Sequence, residues 1–387
     1  MTTGAAANWD PAFLGVFLVL LAGVAVFARA FPQGDRRWWG LLALLALLVM
    51  AGMLLGDGWP RRLLLDAGAF VAVAMVWNRG TPEARRAART YLALLIVSVI
   101  CLSAGLLLTQ EGAGAPPDPW SRVAAGLFVI GFGLKLALVP FYFWLPGVAA
   151  AAAPMTSVLI VSVVDVAAVS ECAHLRVAAP WVFTGTPDVW LAVALLSMFG
   201  GALLALAQRD LKRMLAFSTI DDMGYLLLGI LAGPGVGLSG ALAGALGHGL
   251  SKLLLFGSVG MAEAQSGEPL TLESRGLAAR YPVAGAAFIV GALGILGLPP
   301  TFGFVGRWRL YLAGAEYGGG SLVLAMALAT GVAVLYYARA IHRVWLGAAA
   351  EAAPPRAPRL ATIALSVLMV ALVTLGLFPG AIVWRLP

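Results

Sequence analysis

Six ionisable side chains lie inside long apolar runs of this chain: Asp66, Lys135, Asp165, His248, Lys252 and Arg307. Placing an ionised group at bilayer depth costs about 2.5–3.5 kcal/mol even on the most forgiving insertion scale, so each one needs a reason. Lysine, histidine and carboxylate side chains can take up and release protons. Because the six are spread along the chain rather than clustered, they favour a proton relay over a single binding pocket.

Lys135 is the leading candidate, because no acid is near it in GFGLKLALVP, which covers residues 131–140. Asp66, in the apolar stretch LLLDAGAF, is a carboxylate suited to modulating this lysine. The alternative for Asp66 is a residue at the start of a helix whose side chain reaches the membrane surface, since it follows Arg62 by four positions.

His248 and Lys252 are four residues apart and therefore share one face of a helix. Such a pair can pass protons along a polar axis, and the alternative is a structural hydrogen bond. Asp165 stands in the middle of VSVVDVAAV, where reaching the membrane surface is a poor explanation. The two neighbours Asp221 and Asp222 interrupt another apolar run, and at least one of them should be functional or hydrogen-bonded.

Glu171 and His174 lie nearer the end of their helix, beside Arg176. This position is typical of a solvated pair, and we predict that role for both.

The elements that position these groups follow from the composition. The chain has 387 residues, of which 61% are hydrophobic and 11% charged, and its mean hydropathy is +0.94. A water-soluble protein of this length could not cover its surface with so few polar groups. The sequence therefore predicts an all-α polytopic membrane protein.

Several functions are disfavoured by the same composition. The two cysteines, Cys101 and Cys172, lie in separate apolar runs, and neither a nucleotide-binding glycine motif nor metal-ligand spacing is present. We expect no cofactor and no metal on this chain, so any redox chemistry would belong to another subunit. The net charge of +7 is explained by basic residues in cytoplasmic loops, and we expect no nucleic-acid partner.

Apolar runs long enough to cross about 30 Å of hydrocarbon predict about twelve membrane helices. They are 12–30, 38–56, 61–78, 91–109, 123–145, 154–176, 188–208, 214–232, 237–261, 282–312, 320–346 and 360–379. The first run resembles a signal peptide because Ala28-Arg29-Ala30 looks like a cleavage site. Its basic residues follow the run rather than precede it, however, so we interpret it as a retained span.

The basic residues predict the orientation. Sixteen of the 25 fall in loops on one side of the predicted helices, and five fall on the other. Since basic loops stay in the cytoplasm, both termini should face the periplasm or exterior of a prokaryotic inner membrane.

Two five-helix units follow one another, and the fourth helix of each carries a cation and an interrupting proline. Lys135 lies near Pro140 in the first unit, and Arg307 lies near Pro299 and Pro300 in the second. Five is odd, so the second unit must enter the membrane from the opposite side, as in inverted-repeat transporters. The predicted units are an N-terminal helix (1–37), a first repeat (38–176), a second, inverted repeat (177–348) and a C-terminal helix (349–387).

Four ordered stretches resemble one known family. They are GFGLKLALVPFYFWLP followed by AAPMTS between residues 130 and 157, QRDLKRMLAFSTI (208–220) ending in MGY (223–225), HGLSKLLLF (248–256) and GLPPTFGFVGR (297–307). Together they resemble the antiporter-like, proton-translocating subunits of respiratory complex I, Mrp antiporters and membrane-bound hydrogenases, and among these the complex I subunit N and M type.

The resemblance implies fourteen helices, so the first two of the family would be missing here, as would the lateral helix that some relatives carry after the last span. It also implies that Lys135 is the proton-accepting lysine of the first broken helix and that Asp66 replaces its partner glutamate. His248 and Lys252 match polar groups of the central axis. Arg307 falls at an exit-side lysine or glutamate.

Three departures from the family pattern affect the implied path. Asp165 falls where a lysine or histidine connects the two halves, which reverses the charge. Arg307 replaces a lysine, and arginine cannot easily give up a proton. Asp222 falls where the family often has a histidine. These substitutions put a complete, family-like proton path in question.

Three hypotheses follow. The first is a proton-translocating subunit of a complex I-like NADH/quinone oxidoreductase, working beside homologous membrane subunits in the lipid bilayer. The second keeps the fold in a membrane-bound hydrogenase, an Mrp-type Na⁺/H⁺ antiporter or an inorganic-carbon uptake complex, with Na⁺ as the alternative ion. The third is a scaffold subunit that conducts nothing, and the Asp165 and Arg307 substitutions motivate it.

Overall fold

The computed structural model describes residues 9–31, 35–56, 58–109, 119–347, 358–383 and 386. In these ranges the α-helices are α1 Asp10–Ala30, α2 Arg36–Leu54, α3 Trp59–Trp77, α4 Pro82–Thr109, α5 Trp120–Lys135, α6 Leu145–Ala151, α7 Pro154–Val158, α8 Asp165–Ala178, α9 Trp181–Thr184, α10 Pro187–Ala207, α11 Leu211–Ala232, α12 Val236–Ser266, α13 Leu277–Arg280, α14 Pro282–Leu296, α15 Phe302–Ala340, α16 Arg359–Leu377 and α17 Gly380–Val383. A π-helical segment, Leu159–Val164, joins α7 to α8, and another, Ile341–Trp345, follows α15.

The predicted all-helical membrane architecture is confirmed. Each of the twelve predicted spans contains helix, interrupted in 123–145 and 282–312, and nine helical segments of the described residues are long and apolar enough to cross a bilayer. The outer helices expose apolar side chains; α16, for example, presents Ile363, Val367 and Val370 with 59–64% of their surface exposed. Such surfaces suit lipid rather than water.

The first break ends α5 at Lys135, ahead of Pro140. Proline has no backbone N–H and disfavours helical geometry in the residue before it, so the chain leaves the helix and resumes helical structure only at Tyr142. Polar groups near the break find partners within the protein. Val139 N donates to Ser197 Oγ on α10 at 3.0 Å, and Trp144 Nε1 donates to Leu134 O at 2.9 Å. A break at membrane depth is tolerated where such partners replace the helical bonds.

The second break separates α14 from α15. Gly297 ends α14 with φ 69°, a left-handed conformation that glycine adopts without strain. The glycine backbone at Gly303 then lies directly against the carbonyl of Gly294, where a Cβ atom would have no space. Both predicted proline breaks are therefore present, while the inverted relation of the two units and their boundaries stay predictions.

The predicted boundary between spans 282–312 and 320–346 is present. The stretch named α15 consists of two helices joined at Gly319, where φ is 65° and ψ is −159°. The chain reverses there, since Tyr311 OH on the first helix lies 2.8 Å from Thr330 Oγ1 on the second. The first of these two spans is interrupted as well, between Leu296 and Phe302.

Helices α11 and α12 and the stretch from α7 to α8 form the centre of the molecule. The apolar segments of α11 and of residues 154–178 are fully buried within the protein, and that of α12 is 94% buried. Because these helices contact protein on all sides, their polar side chains meet one another rather than lipid or water. Asp165, His248 and Lys252 all lie on these buried elements.

Candidate functional site: three buried charge clusters

Lys135 occupies a site between two carboxylates. Its Nζ atom lies 2.6 Å from Asp66 Oδ1 on α3 and 2.6 Å from Glu171 Oε2 on α8. All three side chains are buried, with 3%, 12% and 5% of their surface exposed for Lys135, Asp66 and Glu171. With all groups ionised the trio carries a net charge of −1. It can therefore accept one further proton without placing an excess positive charge in the membrane.

The predicted contact between Asp66 and Lys135 is thus present, and the surface-reaching alternative for Asp66 does not hold. The predicted solvated role of Glu171, by contrast, was wrong. Glu171 is only 4% exposed and bonds to Lys135. Position near a helix end suggested water, but α8 is enclosed by neighbouring helices along nearly its whole length.

Asp165 lies alone at the start of α8. It is completely buried, and neither carboxylate oxygen has a hydrogen-bond partner within the described ranges of the chain. Lys252 is the cation that interacts with it electrostatically. A buried carboxylate without a partner is costly, so a bound proton or a hydrogen-bond donor would stabilise Asp165.

Lys252 is fully buried on α12 and makes only neutral hydrogen bonds. It donates to Leu215 O at 2.8 Å and to Ser218 Oγ, and Ser218 also bonds to Tyr337 OH at 2.9 Å. In the part of the chain that the structure describes, no carboxylate lies within ion-pair distance of Lys252. Its surroundings therefore suit a neutral amine as well as an ammonium group.

Asp222 connects His248 and Arg307. One carboxylate oxygen lies 2.7 Å from His248 Nδ1, and the other accepts from Arg307 Nη2 at 2.5 Å. Arg307 also donates to Ile295 O at 2.9 Å, a carbonyl beside the second break, and its guanidinium lies 3.7 Å over the Tyr225 ring. Three contacts thus hold Arg307 in one place.

The neighbouring Asp221 points elsewhere and accepts from Tyr336 OH at 3.2 Å. Both acids of the pair are therefore hydrogen-bonded, as predicted for at least one of them. The sequence did not reveal which acid faces Arg307, and adjacent helical residues necessarily point about 100° apart.

His248 and Lys252 share a face of α12, as predicted, but they serve different partners. His248 contacts Asp222, whereas Lys252 bonds to Ser218 one turn earlier on α11. The six predicted residues therefore form three groups: Lys135 with Asp66, Asp165 alone near Lys252, and His248 with Arg307 through Asp222. Glu171 and Asp222 are the members that sequence reasoning left out of the candidate set.

Metal-type ligands are not concentrated in this structure. Among the described residues no three His, Cys, Asp or Glu side chains are grouped to hold a metal ion, and Cys101 and Cys172 are not paired.

Comparison with known proteins places the chain in a family. Residues 91–333 match the family described as NADH:quinone oxidoreductase/Mrp antiporter, TM. The chain belongs to this family. It is 30% identical to NADH-quinone oxidoreductase subunit N of Desulforudis audaxviator, over 96% of this chain and 83% of that protein. It is 34% identical to NADH-quinone oxidoreductase subunit 14 of Thermus thermophilus, over 95% and 84% of the two chains.

The fold is shared with a solved structure as well. A chain of respiratory complex I from Thermus thermophilus with bound NADH superimposes with a TM-score of 0.88 at 23% identity, over 98% of this chain and 82% of that one. The expected resemblance to antiporter-like subunits is therefore confirmed, including the similarity to subunit N. The roles that the resemblance implies for individual residues remain predictions.

Proposed function

We propose that this chain is a proton-translocating, antiporter-like membrane subunit of a NADH/quinone-type oxidoreductase complex. The observation that carries the proposal is the set of buried charged side chains at Lys135, Asp165, Lys252 and Asp222. Charged groups of this kind are expensive at membrane depth and mark ion pathways. Membership of the family and the names of the curated relatives support the same assignment.

Lys135 is proposed as the proton-carrying group of the relay in the first half of the chain. Asp66 and Glu171 stabilise its ammonium form, so weakening either contact favours release of the proton. Lys252 is proposed as the central carrier because its neutral partners permit both protonation states. Asp165, which contacts neither lysine directly, is proposed to carry a proton between them, while His248 and Asp222 exchange protons with Lys252.

The proposed setting is a multisubunit complex in a prokaryotic inner membrane. The relatives are named as subunits, which supports other membrane subunits, including homologous ones, as partners. Electron transfer is assigned to those other subunits. The positive-inside pattern supports placing both termini outside.

Replacing Lys135 in the intact complex tests the proposal. Complex carrying Lys135→Ala, reconstituted in vesicles, should assemble and reduce quinone but translocate fewer protons per electron. Lys212→Ala is the matched control, since Lys212 is also a buried lysine in an ion pair, 3.0 Å from Glu263, but lies at the start of α11, away from the relay. An unchanged proton-to-electron ratio in the Lys135 variant would contradict the proposal.

A second candidate, an Mrp-type cation/proton antiporter subunit, is favoured by the family description, which names both classes. Identifying the chains that co-purify with this one separates the two. Quinone- and flavin-binding partners support the oxidoreductase, whereas Na⁺-driven proton exchange without them supports the antiporter. If neutralising Asp66, Lys135 and Lys252 together leaves pumping intact, the chain is a non-conducting scaffold.

A further inference from the structure

A further polar cluster lies at the membrane face where α1 and α3 begin and α8 ends, here called the N-terminal face. Arg61 holds Asp10 through two bonds, at 2.6 and 2.9 Å, and also donates to Ser170 Oγ at 3.3 Å. His174 Nε2 lies 3.3 Å from Asp10 Oδ1, and its ring lies 4.4 Å from that of Trp9. The proposed relay uses none of these residues.

This cluster and the Lys135 site share helix α8. Glu171 immediately follows Ser170 on α8, and His174 is three residues further on, so Glu171 and His174 are neighbours on the helix surface. Exposure rises along the series, from 5% for the Glu171 side chain to 8% for His174 and 19% for Asp10. Ionisable groups thus extend from Lys135 to the surface, each about one helical turn or less from the next.

The other end of the chain offers a poorer exit. Arg307 binds Asp222 beside the second break, and a guanidinium stays protonated under all ordinary conditions. It is also fixed by Asp222, by the Ile295 carbonyl and by the Tyr225 ring. A proton that reached Asp222 would meet a static cation there rather than an amine able to pass it on.

We propose that protons leave Lys135 toward the N-terminal face through Glu171 and His174, with Asp10 as the surface group. The inference rests on the proposed function. Lys135 transfers a proton to the Glu171 carboxylate, which produces a neutral amine and a carboxylic acid. Glu171 then protonates His174, one helical turn away, a span that one bridging water covers. The imidazolium is stabilised by Asp10 until it releases the proton to water, and Lys135 regains a proton from Lys252 through Asp165.

Arg61 acts as a positioning residue in this branch. Its two bonds keep Asp10 beside His174. Its positive charge disfavours a lasting second positive charge on His174, so the imidazolium gives up its proton to water.

The test compares variants of the intact complex in vesicles, with quinone reduction and proton translocation measured together. His174→Gln and Glu171→Gln should each lower the proton-to-electron ratio by the same amount as Lys135→Ala, and Glu171→Asp should restore part of it. Combining Glu171→Gln with Lys135→Ala should lower the ratio no further. Glu263→Gln, which breaks the buried pair with Lys212, is the control for loss of a buried ion pair and should leave the ratio unchanged.

His174→Gln decides the outcome even if the Glu171 variants do not assemble, because His174 lies close to the surface. An unchanged ratio in His174→Gln overturns the N-terminal exit. If Lys135→Ala itself leaves the ratio unchanged, the proposed function fails instead. The two failures are therefore distinguishable.

Discussion

The contact between Asp222 and Arg307 should be a large single contribution to the stability of the second half. Both side chains are buried, with 8% and 9% of their surface exposed, and their closest atoms lie 2.5 Å apart. Asp222→Asn keeps the shape of the side chain but removes its charge. Breaking one partner of a buried ion pair typically costs about 3–5 kcal/mol, because the remaining charge is left uncompensated.

The other contacts of each residue set the details of this estimate. Arg307 keeps the Ile295 carbonyl and the Tyr225 ring in the variant, which places the expected loss near 3 kcal/mol within that range. Asparagine can still bond to His248, so the weakening of that hydrogen bond adds no more than about 1 kcal/mol to the free-energy loss. Arg307→Met removes the buried cation instead, and the double variant removes both charges.

A double-mutant cycle on the purified chain in detergent measures the coupling. Reversible unfolding should show a free-energy loss of about 3 kcal/mol for Asp222→Asn, whereas adding Arg307→Met should recover most of it, since no uncompensated charge then stays buried. If Asp222→Asn lies within about 1 kcal/mol of the parent, or the two losses simply add, the reasoning is refuted.

Two further predictions concern packing and helix capping. Gly201→Ala should destabilise the chain by about 1–3 kcal/mol, because the new Cβ would collide with the backbone of Asp221 and push α10 from α11. Gly15→Ala is the control and should lose no stability, since nothing lies within 4 Å of its added Cβ. Equal melting temperatures for the two variants would refute this. Asp210→Ala removes the side-chain bond to Arg213 N, 2.8 Å long, that caps α11. It should cost about 1 kcal/mol in detergent unfolding, with Asp210→Asn retaining most of the stability; an alanine variant as stable as the parent would argue against the cap.

Much of the architecture could be predicted from the sequence. The composition requires a membrane protein because no soluble core could hide so many apolar residues. Pro140, Pro299 and Pro300 locate both breaks, since a missing N–H is a local property of the chain. An isolated charge in an apolar run is equally visible, which is why Lys135 and Asp66 could be recognised before their contact was known.

The partners of those charges depend on the tertiary structure. Glu171 and Asp222 bind Lys135 and Arg307 across 36 and 85 positions of sequence. Helices such as α8 and α11 are buried on every side, so hydropathy does not say which face meets which neighbour. Local chemistry therefore determined where charge enters the membrane. Only the packing of helices decided which acid neutralises each cation, because that depends on the rotation of one helix against another, a quantity that no single stretch of sequence contains.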